Sequence, residues 1–278
     1  MQASATAPHE TGPEAGLHAQ YWRFHDAVAR EQLTSWLPGP GRVLVDISGP
    51  SSQAAALAAS AGHTVVHVMD PDARPCPRLP DVAPHEAAGP PAAAPAAGPC
   101  SRLPKPYAGR LRMVAADGSN LGFLADGCAD GLIAEDRTLS RRLGAETLVS
   151  EIHRVLRPGG KVLAAVDSLT RGMAVLAEQS HWPHLIDLPH ADVVLVPWPD
   201  GSITRCYGTE QLRELFASGG FEVQWIRPRT VLSASTVSYL LARDPSSFRR
   251  LVEAELRTSA DDSVGSQLVI AATKAAAC

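Results

Sequence analysis

Aromatic residues are scarce in this 278-residue chain, at 5%, and charged residues make up only 19%. Positive charge is not in surplus: 29 acidic residues face 25 basic ones, a net charge of −4. That balance excludes a surface built to neutralise phosphates, so nucleic acid is not an expected partner. No apolar run approaches the roughly 18 residues needed to cross a bilayer, so no membrane span is expected. The segment Met1 to Gly16 lacks a basic stretch followed by an apolar one. No secretory leader is read there, and the cytoplasm is the expected location. The five cysteines, Cys76, Cys100, Cys128, Cys206 and Cys278, are odd in number, and none pairs at CxxC spacing. A disulfide framework and a zinc knuckle are thereby disfavoured against free thiols. No HExxH motif accompanies the ten histidines, so no metal is expected.

What is present is a rhythm of apolar runs and breaks. Residues 1–16 read as a disordered tail. A helical pattern through Leu17, Tyr21, Phe24, His25, Val28, Leu33 and Trp36 ends at Pro38-Gly39-Pro40-Gly41, giving an N-terminal helical cap over 17–40. From 41 to 278 strand and helix signals alternate. Val43–Ile47 is a buried strand, Ser48–Ser52 a turn with Ser51 or Ser52 as N-cap, and Gln53–Ala61 an alanine-rich helix. His63–Met69 is the second strand, ending in Asp70. Strand, helix and strand in so short a stretch make a βαβ unit and imply a parallel sheet. Residues 71–109 interrupt the pattern with eleven prolines and ten alanines. Such a segment reads as an extended surface insertion, tolerated because loop closure entropy grows slowly with length. Strands resume at Leu111–Ala115, Gly131–Ala134, Lys161–Val166, Phe221–Ile226 and Gln267–Ala272. Helices are expected over Ala145–Leu156, Thr209–Ser218 and Phe248–Leu256. A segment with tryptophans and histidines, 168–206, forms a second cap.

The unit Arg154-Val155-Leu156-Arg157-Pro158-Gly159-Gly160-Lys161-Val162-Leu163 is the most specific stretch. Pro158 cannot continue the preceding helix, and Gly159 and Gly160 supply the positive φ that reverses the chain. It resembles the entry to the fifth strand of class I S-adenosylmethionine-dependent methyltransferases. Other pieces follow in the family's order: Leu44-Val45-Asp46-Ile47 with its tight turn, Asp70 closing the second strand, Ala116-Asp117-Gly118-Ser119 after the third, and Ala129-Asp130-Gly131-Leu132-Ile133 at the fourth. The resemblance covers roughly residues 40–227 and the last strand. It implies an α/β fold: a seven-stranded, mostly parallel, doubly wound sheet with a helical N-terminal cap.

The resemblance also implies S-adenosylmethionine as cofactor and methyl transfer to a small organic molecule. The alanine-, proline- and arginine-rich composition suits bacterial secondary metabolism. By this likeness Asp70 binds the ribose hydroxyls and Asp117, beside Gly118, the adenine amino group. Asp46 positions the methionine amino group or the loop, together with Ser48, Gly49 and Ser51. Glu135 lies near the sulfonium. The loop Asp46-Ile47-Ser48-Gly49-Pro50-Ser51-Ser52 departs from the family in keeping a single glycine, where backbone ordinarily approaches the ligand closely. Candidate bases come from the two caps: Tyr21 and His25, four apart on one helix face, and His181. Two other readings stay open: non-methylating chemistry such as cyclisation or isomerisation on the same scaffold, and a non-catalytic interaction protein. The sequence does not fix the oligomeric state, and a homodimer is allowed.

Overall fold

The computed structural model describes residues 13–49, 52–71, 110–187, 193–198, 201–257 and 265–276. Five successive neighbours run parallel, each of four to six residues except the last. They are β1 (Val43–Asp46), β2 (Thr64–Met69), β3 (Leu111–Ala115), β4 (Ala129–Ala134) and β5 (Leu156–Ser168), in the spatial order β3-β2-β1-β4-β5. Strand β9 (Gln267–Lys274) lies antiparallel on β5, and β8 (Phe221–Arg229) lies antiparallel on β9. These seven are the strands the sequence announces. Among the described residues the sheet has nine, and this corrects the expected count. The extra pair is an antiparallel hairpin, β6 (Val194–Pro197) with β7 (Ile203–Tyr207), inside the second cap. Its origin is geometric. Pairing of β4 with β5 stops at Ala134 and Ala164, while β5 continues to Ser168. Beyond β4 that edge is open, and β7 covers it at Asp167 and Ser168.

Successive side chains of a strand point to opposite faces, and a parallel sheet is covered on both. Leu44, Ile133 and Leu163 therefore meet one helical layer. It consists of Leu33 and Trp36 from α1 (Pro13–Trp36) and the alanines of α2 (Ala54–Ser60). Val45, Leu132 and Val162 face the other layer, α3 (Ala145–Val155) and α6 (Thr209–Ser218), through Leu148, Ile152, Leu212 and Phe216. The cap helix α1 begins at Pro13 rather than at Leu17; proline at a first turn forfeits no hydrogen bond. Its first half leaves the sheet. There Tyr21, Phe24 and Val28 pack against Val237 and Leu241 of α7 (Ala234–Arg243) and Val252 of α8 (Phe248–Leu256). After β5, the second cap begins with α4 (Leu169–Glu178) and α5 (Trp182–Asp187).

The Pro-Gly-Gly break is a bulge at the start of β5. Ala129 pairs with Leu156 and Gly131 with Lys161, so Arg157–Gly160 stand opposite Asp130 alone. Only Gly159 takes a positive φ, +74°, and Gly160 does not. Strand β2 pairs in parallel with β3, Met69 beside Ala115. The chain between them is thus the crossover of a parallel pair, and residues 72–109, with the expected insertion, lie outside the described residues. Among the described residues no helix is long and apolar enough to cross a membrane.

Candidate active site

The parallel strands end in acids: Asp46 on β1, Asp70 after β2, Asp117 after β3, Glu135 and Asp136 after β4, Asp167 near the end of β5. Between β1 and β4 the sheet changes its direction of growth, and ligands of open α/β sheets bind in the crevice at such a point. Here the two loops are stitched together. Ser48 Oγ accepts from the Glu135 amide at 2.9 Å, and Thr138 Oγ1 donates to the Ile47 carbonyl at 3.2 Å.

Asp46 is wholly buried, and the β1–β2 register sets it beside His67. Its Oδ2 lies 2.9 Å from His67 Nδ1, and its Oδ1 accepts from the Ser48 amide at 3.0 Å. Burial alone would lower the His67 pKa, but the hydrogen bond and charge of Asp46 outweigh it and the pKa is raised. With no exposed surface, Asp46 shapes the loop. Gly49 is the close approach. A Cβ there would stand 2.3 Å from Asp136 Oδ2 and 3.0 Å from Arg141 Nη2. Ser51 lies outside the described residues. Ser52 accepts from the Ala54 amide at 3.1 Å just ahead of α2, but the N-cap is Gln53 rather than a serine, and its side chain makes no cap hydrogen bond.

Asp70 and Asp117 come together around a residue the sequence reading had not singled out. Arg142 Nη2 lies 2.7 Å from Asp70 Oδ2 and 3.5 Å from Asp117 Oδ1. Asp117 Oδ1 also accepts from Ser119 Oγ at 2.6 Å and the Ser119 amide at 2.8 Å. Those hydrogen bonds first, and the Arg142 charge after them, hold its carboxyl below the usual carboxylate range. Gly118 passes close by: a Cβ on it would sit 4.0 Å from Asp70 Cβ.

Next to this crevice lies a cavity of about 390 Å³, bounded by α1, α2 and the tips of β4, β8 and β9. Trp22, Ala29, Leu33 and Leu57 give it an apolar wall, and His25, Gln53, Asp136 and Gln267 give it polar groups. His25 Nδ1 lies 3.2 Å from Asp26 Oδ1, and its Nε2 lies 3.2 Å from the Gln267 side-chain oxygen. A charged ring donates to both. A neutral one keeps Nδ1–H on Asp26 and accepts from the Gln267 amide turned end for end. Glu135 is at the floor with its charge already balanced. Arg229 Nη1 and Nη2 donate to its two oxygens at 2.7 and 2.9 Å, and Arg229 Nε donates to Gln32 Oε1 on α1 at 2.7 Å. Arg137 lines the same floor and reaches Asp167 at 3.5 Å, where Arg171 of α4 also pairs at 3.0 Å.

Of the three candidate bases, only His25 reaches the cavity. Tyr21 is turned into the seam with α7 and α8, because positions 21, 24 and 28 form one stripe of α1 and 22, 25, 29 and 33 the next. His181 follows α4, its ring 5.6 Å from that of His184, and does not line the cavity. The reading missed Arg137, Arg142 and Arg229. For Arg137 and Arg142 the three arginines that follow β4 were an available signal. Arg229 had none, since it arrives from β8, far along the chain.

No protein-family model and no curated protein matches this sequence. Solved structures do match its fold. The Burkholderia thailandensis 1,6-didemethyltoxoflavin-N1-methyltransferase, solved with 1,6-didemethyltoxoflavin and S-adenosylhomocysteine, is 18% identical, with a TM-score of 0.53 over 99% of this chain and 93% of that one. The [4+2]-cyclase SpnF is 16% identical, with a TM-score of 0.54 over 90% and 81%. A geranyl diphosphate methyltransferase solved with S-adenosylmethionine is 17% identical, with a TM-score of 0.53 over 96% and 92%. The chain has the class I methyltransferase fold.

Proposed function

We propose that this chain is a cytoplasmic S-adenosylmethionine-dependent methyltransferase acting on a small organic molecule, in a bacterial secondary-metabolic setting. One observation carries the reading: Asp136 lines the cavity and also touches the space above Gly49, so the acceptor cavity and the strand-tip crevice adjoin. The donor set fits the cofactor in kind. Asp70 would accept from the ribose hydroxyls, Asp117 from the adenine amino group, and the backbone at Ser48–Gly49 would lie along the amino-acid end. When bound, S-adenosylmethionine supplies a methyl group on a positively charged sulfur.

The chain's own residues do the rest. Trp22, Leu33 and Leu57 offer an apolar wall that excludes water and suits a flat ring. His25 takes a proton at Nε2 from an acceptor hydroxyl or ring N–H, with Asp26 steadying Nδ1–H. Glu135, tied to Arg229, holds the β4 tip and α1 in one arrangement. Holding the acceptor in line contributes most where the displacement itself is simple.

The test is label transfer. Methyl-labelled S-adenosylmethionine is incubated with the full chain and a panel of phenolic and nitrogen-heteroaromatic acceptors. Label in a product supports the reading, and Asp70→Ala should weaken S-adenosylhomocysteine binding by about 1–3 kcal/mol, the penalty for unpaired buried hydroxyls. A second reading is non-methylating chemistry on this scaffold. Its support is the arginine standing between the two nucleoside carboxylates, together with the likeness to a cyclase. Converted substrate without label would favour it.

A further inference from the structure

Both carboxylates suited to a nucleoside are engaged by one guanidinium, so the pocket end that should take ribose and adenine contains a side chain of the protein itself. Arg142 belongs to the segment between β4 and α3. That segment enters with two consecutive non-glycine residues in the left-handed region, Asp136 at φ 56° and Arg137 at φ 58°. The turn folds the chain back over the tips of β1 and β2, which brings Arg141 above Gly49 and Arg142 onto Asp70 and Asp117. As far as Ser140 the segment is anchored. Glu135 is held by Arg229, Thr138 by the Ile47 carbonyl, the Ser140 hydroxyl by the Asp167 amide at 2.8 Å, and the Ser140 carbonyl by the Arg205 amide at 2.7 Å. The movable part is the Arg142 side chain, which keeps 31% of its surface exposed.

We infer that Arg142 is a resident competitor for the nucleoside end of the site. It holds Asp70 and Asp117 together and swings out when a ribose takes its place. The inference rests on the cofactor reading above and adds to it that affinity is set partly by the release of an arginine. An ion pair with this exposure is worth little, so the penalty on binding is modest. It is also screened by salt, whereas hydroxyl hydrogen bonds to Asp70 are far less so. Salt should therefore favour the ligand by loosening its competitor.

The experiment is calorimetric titration of the full chain with S-adenosylhomocysteine at low and high ionic strength, for wild type, Arg142→Met and Arg142→Gln. Circular dichroism verifies that each variant is folded. Both variants are expected to bind about two- to fivefold more tightly than wild type at low salt. Wild type should tighten as salt rises, and the variants should not. The salt response of wild type needs no variant and decides the matter if neither variant folds. Binding that is unchanged or weaker in folded variants, or that weakens with salt in wild type, overturns the inference and leaves the cofactor reading standing. No heat of binding at millimolar ligand in wild type and variants alike overturns both.

Discussion

A histidine and an aspartate on adjacent strands, His67 and Asp46, form an enclosed polar pair at the strand tips, with side chains 9% and 0% exposed. Their effect on stability has a definite sign. The folded-state pKa of His67 is raised, so the stabilisation is complete below its unfolded value of about 6.5 and is lost as pH climbs through the folded value. Wild type should lose stability between pH 6 and pH 8, and His67→Gln should flatten that decline. Urea midpoints at the two pH values measure it; an identical slope in the variant would remove the pair from the account. Asp46 was legible from sequence as the acid closing the first strand. Its partner was not, because pairing across strands depends on a register that the sequence leaves open. Asp70 and Asp117 were legible for the same reason as Asp46: each ends an apolar run. Arg142, on a loop with no periodic pattern, was not.

Elements were read well where periodicity was strong and poorly where one stretch serves two neighbours. Helix α1 shows both. Its apolar positions predicted a helix, but two adjacent stripes of that helix face different things: Tyr21, Phe24 and Val28 meet α7 and α8, while Trp22, His25 and Leu33 border the cavity. Grouping Tyr21 with His25 mixed the stripes. The tie between α1, β4 and β8 is the Gln32–Arg229–Glu135 network, and Arg229 is 1% exposed. Arg229→Met should destabilise by about 3–5 kcal/mol, because it leaves a buried carboxylate unpaired. Adding Glu135→Leu should recover most of that loss in thermal melts. A single variant as stable as wild type would mean the carboxylate is not in fact sequestered.

The β2–β3 connection is an element-scale matter too. Strands β2 and β3 are parallel neighbours, and such a pair needs a dozen or more residues to return along the strand. Replacing residues 72–109 with about twenty Gly/Ser residues should preserve the sheet, and a bridge of about five should unpair β3. Amide exchange in Leu111–Ala115 distinguishes the two outcomes.

At the scale of the whole molecule, strand order and two flanking helical layers gather the acids of the strand tips at one end of the sheet. That much followed from the order of the sequence motifs. The hairpin β6–β7 did not, because it fills an edge that exists only once β5 outruns β4. Nor did the cavity, which needs α1 to depart from the sheet toward α7 and α8. A crystal structure of the full chain grown with S-adenosylhomocysteine tests the central claim most directly. The account predicts the ribose hydroxyls within hydrogen-bond distance of the Asp70 carboxylate, Arg142 turned away from it, and the sulfur facing the cavity that holds His25. A nucleoside bound elsewhere, or an Asp70–Arg142 pair intact at saturating ligand, would contradict it.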